Sequence, residues 1–266
     1  MHKQDKNSDE STGRSGTQSI QRAAALLREL MVSNREGAPT SELAARAGIE
    51  RTTAHRMLRC LLDEGLVSHD AATKRFYLGP LAYEIGVAAA ERTDLRAICK
   101  PALTRIADET QDTVFLMIRS GDDSVCIERA EGSYPVKTFV VDVGTRRPLG
   151  VGAGSLAILS ALPVQEAELV LARNAGRLAS YEDLTADRLR QMMLHASAGG
   201  HVAMDVVNVH GVRAVAVPIT TAAGRAVAAL SIAAVQWRMT AAREQVLIAR
   251  LRQEAAQLGG LLSRSA

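Results

Sequence analysis

Apolar positions fall into distinct regimes along the chain. Residues 1–17 mix Lys, Asp, Asn, Ser, Gly and Thr with almost no apolar side chain, so they cannot repay the entropy of ordering and read as a disordered, mobile tail. From Gln18 the pattern turns helical, with Ile20, Ala23, Ala24, Leu27, Leu30 and Met31 recurring up to the breaker cluster at 34–39. Thr40 and Ser41 stand where a short second helix carrying Leu43, Ala44 and Ala47 wants its cap, and Gly48 offers the permissive backbone of a tight turn. A third helix over 51–64 gathers Ala54, Met57, Leu58, Leu61 and Leu62 on one face. Arg51, Thr52, His55, Arg56 and Arg59 fall largely on the other. Gly65 closes it, and two β-prone runs, 66–69 and 75–78, flank a polar turn at 70–74. Three helices followed by a small hairpin make a winged helix-turn-helix plan over 18–79.

Residues 81–91 are Ala-rich and apolar at helical spacing, which suits a linker helix over 80–93 or a dimer seam better than a flexible connection. A helix from Asp94 to Thr110 contains Pro101, which either kinks it or sits where the missing N–H is tolerated. Strands are expected at 113–119, 123–130 and 135–141, the first two joined at Gly121-Asp122. A glycine-punctuated loop at 143–154 leads to helices at 155–162, 165–175 and 186–197. Strands at 201–206, 213–220 and 225–234 follow, the last turn formed by 222–224. An amphipathic helix over 240–258 carries Val246, Ile248, Leu251 and Leu258 on its apolar side. Helices mixed with largely antiparallel strands imply an α+β domain over 94–266.

Composition narrows the function classes. A chain of 266 residues has room for two domains, and 47% hydrophobic against 23% charged residues is that of an ordinary soluble protein. A net charge of +3 permits a nucleic-acid partner without demanding one. Three cysteines, Cys60, Cys99 and Cys126, lie far apart with no C-x-x-C pair, so neither a disulfide framework nor a metal site is indicated, and a reducing cytoplasm fits. The N-terminus has no apolar leader core, and nothing approaches the roughly 20 apolar residues of a membrane span. No cofactor is called for.

A helix that enters the major groove needs an apolar back and long donors in front. Residues 51–59 offer that mixture: Arg51, Arg56 and Arg59 can grip guanine or phosphate, and Thr52 and Thr53 can touch phosphate or a thymine methyl. Gln18, Ser19 and Arg22 at the head of the first helix, Ser41 at the head of the second, and Lys74 and Arg75 on the wing are candidate backbone contacts. Taken alone, the arginines could merely solvate an exposed helix. The order of short helix, Gly turn, charged helix and basic hairpin favours DNA. His55 either touches DNA or caps and packs locally.

In the second half, the loop 144–154 either exposes backbone N–H groups to an anion at the head of the Ser155 helix or is a closely packed turn. Val114, Leu116 and Ile118 read as core. Asp205, acidic beside apolar strands, must find a partner or lie at a strand end. Ser155, His195, His201 and Asp205 supply the residue types of a hydrolytic triad, but there is no Gly-x-Ser-x-Gly elbow and no His-x-x-x-His pair, which argues against an enzyme. A DNA-binding dimer that answers to no ligand is the other rival.

Several stretches carry a family resemblance. Gln18-Ser19-Ile20-Gln21-Arg22-Ala23, Ser41-Glu42-Leu43-Ala44 with Ala47-Gly48-Ile49, and Thr52-Thr53-Ala54-His55-Arg56-Met57-Leu58 resemble the DNA-binding half of the IclR family of bacterial regulators. Tyr77-Leu78-Gly79, the run 103–110, the run 211–219 beginning Gly211-Val212-Arg213, and Ala228-Ala229-Leu230-Ser231-Ile232 resemble its effector-binding domain. The resemblance implies a GAF-like α/β sensor domain, a homodimer or a tetramer built as a dimer of dimers, and a double-stranded DNA operator. It also implies control by a small organic acid held at positions matching Gly152, Ala153, Met204 or Asp205, Ala214 and Ser231. Against the family pattern, the approach to the helix reads Pro148-Leu149-Gly150-Val151-Gly152, Ala214 is apolar, and Ala233 stands where a second hydroxyl can occur. A more apolar pocket suits a larger or more hydrophobic acid.

Overall fold

A computed structural model of the chain describes residues 10–90, 94–181 and 184–264. The chain divides into two units, Met1–Arg92 and Thr93–Ala266. In the first, α1 (Glu10–Ser33), α2 (Thr40–Ala47) and α3 (Arg51–Asp63) precede the hairpin β1 (Val67–Asp70) and β2 (Arg75–Leu78), and α4 (Pro80–Ala90) follows. This is a winged helix-turn-helix. Leu26, Leu30, Leu43, Ala54, Leu58, Val67 and Phe76 close its core. Of the α1 positions singled out by spacing, Leu30 is buried whereas Ile20 and Met31 are exposed.

Two expectations need correction here. Residues 10–17, expected to be mobile, continue α1, because once a helix is nucleated each further residue adds a hydrogen bond at small cost. Residues 1–9 lie outside the described residues. Neither Thr40 nor Ser41 caps α2. Its N-cap is Pro39, with no side-chain bond, and Gly48 ends it in the left-handed region. Chain direction into α2 is fixed instead by a bridge between Ala38 and Phe76, whose N–H groups each donate to the other's carbonyl at 3.0 and 2.9 Å.

Gly79 closes the hairpin against the end of α3. Its N–H donates to the Leu66 carbonyl at 2.9 Å, and a Cβ there would lie 2.2 Å from the Gly65 carbonyl oxygen.

The second unit contains α5 (Leu95–Thr110), β3 (Thr113–Ser120), β4 (Asp123–Ala130), β5 (Arg146–Pro148), α6 (Ala153–Ser160), α7 (Val164–Leu178), α8 (Ala186–Gly199), β6 (Val202–Asp205), β7 (Val212–Thr220), β8 (Ala226–Val235) and α9 (Ala241–Arg264). Six strands form one antiparallel sheet in the order β5-β4-β3-β8-β7-β6. Alternation along its central strands gives each face its own core. Val114, Leu116, Val215, Val217, Leu230 and Ile232 pack with α5 and α9, while Phe115, Met117, Ala214, Ala216, Ala229 and Ala233 pack with α6, α7 and α8. Helix α5 runs through Pro101, which lies on its exposed side.

Residues 135–141, expected to be a strand, pair with nothing in a ladder. The segment is pinned by single contacts: the Thr138 hydroxyl donates to the Ala233 carbonyl at 2.7 Å, and the guanidinium of Arg129 stacks on Phe139 at 4.3 Å. The third strand on that edge is instead β5, paired with β4. Among the described residues no helix is long and apolar enough to cross a membrane.

Replacing Gly79 by Ala is expected to destabilise the first unit by about 1–3 kcal/mol, the usual cost of forcing atoms into a filled space. Thermal unfolding followed by circular dichroism checks it; an unchanged first transition would mean that the backbone there moves freely.

Candidate functional site

Helix α3 begins at a cap that residue patterning missed. The Glu50 carboxylate accepts from the Thr53 N–H at 2.9 Å and, in a shorter bond, from the Thr52 hydroxyl. Those bonds, the Thr52 hydroxyl foremost, hold the Glu50 carboxyl well below its ordinary value of 4.5, at about 2. Ala54, Leu58 and Leu61 bury the back of the helix, and Arg51, Thr52, His55, Arg56 and Arg59 stand exposed in front, with Thr53 half-buried. Gln18, Ser19 and Ser41 are exposed and Arg22 is half-buried.

The wing separates its two basic residues. Lys74 is exposed at the turn, where Asp70 accepts from the Ala72 N–H and the Thr73 hydroxyl at 2.8 Å. Arg75 turns inward, its guanidinium donating to the Gly37 carbonyl at 2.8 Å, so its donors hold the loop before α2.

In the second unit, a cleft opens between the sheet and the head of α6. Its floor carries Phe115 and Met117 from β3, Ala214 from β7, and Ser231 and Ala233 from β8, while Val140 and Val141 cover it from the 131–145 segment. Gly152 and Ala153 form the α6 end. Gly152 has a φ of 92°, which a side chain would strain, and a Cβ on Gly154 would lie 2.7 Å from Met117 Cγ. Among the described residues the N–H groups of 152–155 make no hydrogen bond, the normal state of a helix's first turn. The Ser155 hydroxyl accepts from the Gly150 N–H at 2.8 Å and so shapes the loop. Ser231 is 7% exposed, faces Gly154 across the cleft and makes no side-chain hydrogen bond among the described residues.

Of the ligand positions expected from the sequence, Gly152, Ala153, Ala214 and Ser231 meet at this cleft, and two do not. Met204 is buried in the same core, opposite Ala214 in the β6–β7 ladder, and does not line the cleft. Asp205 lies exposed at the end of β6 and pairs with Arg213 at 3.1 Å. The alternation that puts Val114 and Leu116 in the far core is the signal that would have placed Phe115 and Met117 here. No hydrogen bond among the described residues joins Ser155 to His195, His201 or Asp205; His195 Nδ1 meets the Gln191 carbonyl at 2.8 Å instead. Nor do the described residues include a group of three or more His, Cys, Asp or Glu side chains placed to hold a metal ion.

Comparison with known proteins decides the family. The model for the C-terminal domain of bacterial transcriptional regulator IclR matches residues 87–259, and that for the IclR helix-turn-helix domain matches residues 19–71. The chain belongs to the IclR family. It is accordingly a transcriptional regulator with a DNA-binding helix-turn-helix. The HTH-type transcriptional regulator BhcR of Paracoccus denitrificans is 28% identical over 86% of this chain and 81% of its own length. KipR of Bacillus subtilis, also an HTH-type transcriptional regulator, is 36% identical over about half of each chain, 48% and 50%. An IclR homologue from Microbacterium hydrocarbonoxydans, crystallised with 4-hydroxybenzoate, superposes with a TM-score of 0.70 over 93% of this chain and 100% of its own. At 21% identity that likeness speaks for the shared IclR fold.

Because the Glu50 carboxyl is depressed in the folded state, its stabilisation is present above about 4.5 and lost as pH falls towards 2. Glu50→Ala is expected to lower the melting temperature of the first unit at neutral pH, and the gap to wild type should narrow through that window. A gap independent of pH would rule out the charged cap.

Proposed function

We propose that this regulator binds a pseudo-palindromic operator through paired α3 helices and that a small organic acid seated in the second-unit cleft controls binding. The observation that carries the acid reading is Ser231, whose hydroxyl makes no side-chain hydrogen bond among the described residues and lies in the cleft with the unbonded N–H groups at the head of α6. A free hydroxyl beside free N–H groups offers several donors to a ligand that supplies acceptors. The surrounding Phe115, Met117, Val140, Val141, Ala214 and Ala233 suit an acid with an apolar body. Support also comes from the homologue's 4-hydroxybenzoate complex, which holds an acid of that kind.

On the DNA side, Arg51, His55, Arg56 and Arg59 are the base and phosphate readers, with Lys74, Gln18, Ser19 and Ser41 on the backbone. Arg22 and Thr53, half-buried, are assigned supporting contacts. Self-association falls to α4, which buries none of its residues and leaves Tyr83, Ile85 and Val87 exposed. Light scattering should report a mass of two or four times 28.4 kDa; a monomer at micromolar concentration would remove the basis for a palindromic site.

Selection of genomic fragments at a stated salt concentration tests the whole reading. Wild type should enrich one palindromic site with half-sites about 10 base pairs apart, or a multiple of that. Arg51→Ala or Arg56→Ala should lose about 1–3 kcal/mol of base discrimination while retaining salt-sensitive affinity for any duplex. An acid at about 100 times its Kd should stabilise the protein by about 2.7 kcal/mol and change operator occupancy. If the operator is found but no acid alters melting or occupancy, the chain is a DNA-binding dimer that answers to no ligand.

A further inference from the structure

The cleft contains a charge that residue patterning did not anticipate. Arg147, on β5, is the one ionisable side chain among the described residues lining it. One guanidinium nitrogen, Nη2, donates to the Val140 carbonyl at 2.9 Å, and no carboxylate among the described residues pairs with the group. Its chain neighbour has a different environment: Arg146 pairs with Asp123 at 3.0 Å and also bonds the Ser120 hydroxyl at 3.0 Å.

Strand geometry explains why the two point apart. Arg147 sits opposite Ser124 and Arg146 opposite Val125. In β4 the pairing with β3 shifts register between Leu116 and Met117, so that Glu128 faces with Leu116 but Cys126 faces with Met117. This irregularity changes which residues of β4 face the cleft, and β5, paired beyond it, follows. Arg147 therefore emerges on the Met117 side and Arg146 on the opposite one.

A half-buried guanidinium with one carbonyl acceptor and no counter-charge among the described residues is under-compensated, because a partly desolvated charge is costly unless it is paired. Four of its five N–H donors remain for a ligand while the bond to Val140 is kept. We infer that Arg147 is the counter-charge for the ligand's carboxylate, so that the cleft takes an organic monoanion with an apolar body in preference to a neutral molecule of the same shape. The inference deepens the acid-sensing reading and rests on it. A single guanidinium then holds both the ligand and the 131–145 segment that covers it, with Ser231 and the α6 N–H groups as neutral donors on the other side.

Matched acids and amides separate charge from shape. Isothermal titration calorimetry of the full chain would use benzoate and benzamide, 4-hydroxybenzoate and 4-hydroxybenzamide, phenylacetate and phenylacetamide, and isovalerate and isovaleramide. Wild type should bind at least one acid tenfold or more tighter than its amide. Arg147→Met, which keeps length and apolar volume, should weaken that acid by tenfold or more and leave the amide within about twofold, erasing the preference. Arg147→Lys, which keeps the charge and loses the fork, should fall between them, and it carries the test should the methionine variant not fold. Wild type binding acid and amide alike, or either variant keeping the full preference, would overturn the role of Arg147 while leaving a ligand-binding cleft. Wild type binding no acid in the panel and showing no acid-induced melting shift would overturn the acid-sensing reading itself, and this inference with it.

Discussion

The antiparallel pairing of β3 with β8, at the centre of the six-stranded sheet, decides which side chains face the cleft and which the far core. Phe115 stands opposite Ser231, and Val114 opposite Ile232. A slip of one residue would turn Ser231 among Leu230-type neighbours and present Ile232 to the cleft, exchanging a usable hydroxyl for a branched alkyl group. Such a slip is opposed from both sides, since the far face would have to bury an unbonded hydroxyl and the near face would lose its fit to α6. The same apolar packing that stabilises the sheet thereby holds the cleft-facing residues in place.

Helix α6 meets this face through small residues. Gly154 lies so close to Met117 that a side chain has no room, and Gly152 has a backbone that favours glycine. The result is a helix head brought down onto the sheet with its first N–H groups directed along the cleft rim, where the positive end of the helix dipole favours an anion. An eight-residue helix supplies only a partial charge of about +0.5 at that end. A full charge at Arg147 therefore changes the electrostatics of the cleft more than any further refinement of the loop would.

Much of this was legible in the sequence and some was not, for identifiable reasons. Helices α2 and α3 and the wing hairpin follow from local periodicity, because each packs one face on its own unit's core, and β7 and β8, buried on both faces, follow from near-continuous apolar runs bounded by turns. The 135–141 segment has the β-branched composition of a strand, yet Val140 and Val141 serve as a cover and Thr138 bonds a single carbonyl. Composition reports burial there, and pairing is decided elsewhere. Arg147 was beyond local reasoning because its direction is set by an irregularity in the pairing of two other strands. Asp205 looked like a site residue only while Arg213, distant by eight positions, was not known to face it. The buried and exposed faces of α3 were readable because amphipathic spacing alone sorts them.

Glu50 shows why α3 cannot be read from its basic residues alone. Its carboxylate satisfies orphan donors at the head of α3, and an anion at that end is also favoured by the helix dipole. A DNA phosphate would seek the same donors and the same dipole. With the cap occupied by the Glu50 carboxylate, a phosphate at that end would have to compete with it, whereas the exposed arginines of the helix face no such competitor on their own turn. Arg51, His55 and Arg59 recur every four residues on the exposed face, and Arg56 follows Thr52 at the same interval, so donors extend along the helix rather than concentrating at its tip. An internal cap of this kind stabilises the helix and leaves its basic side chains on the exposed face.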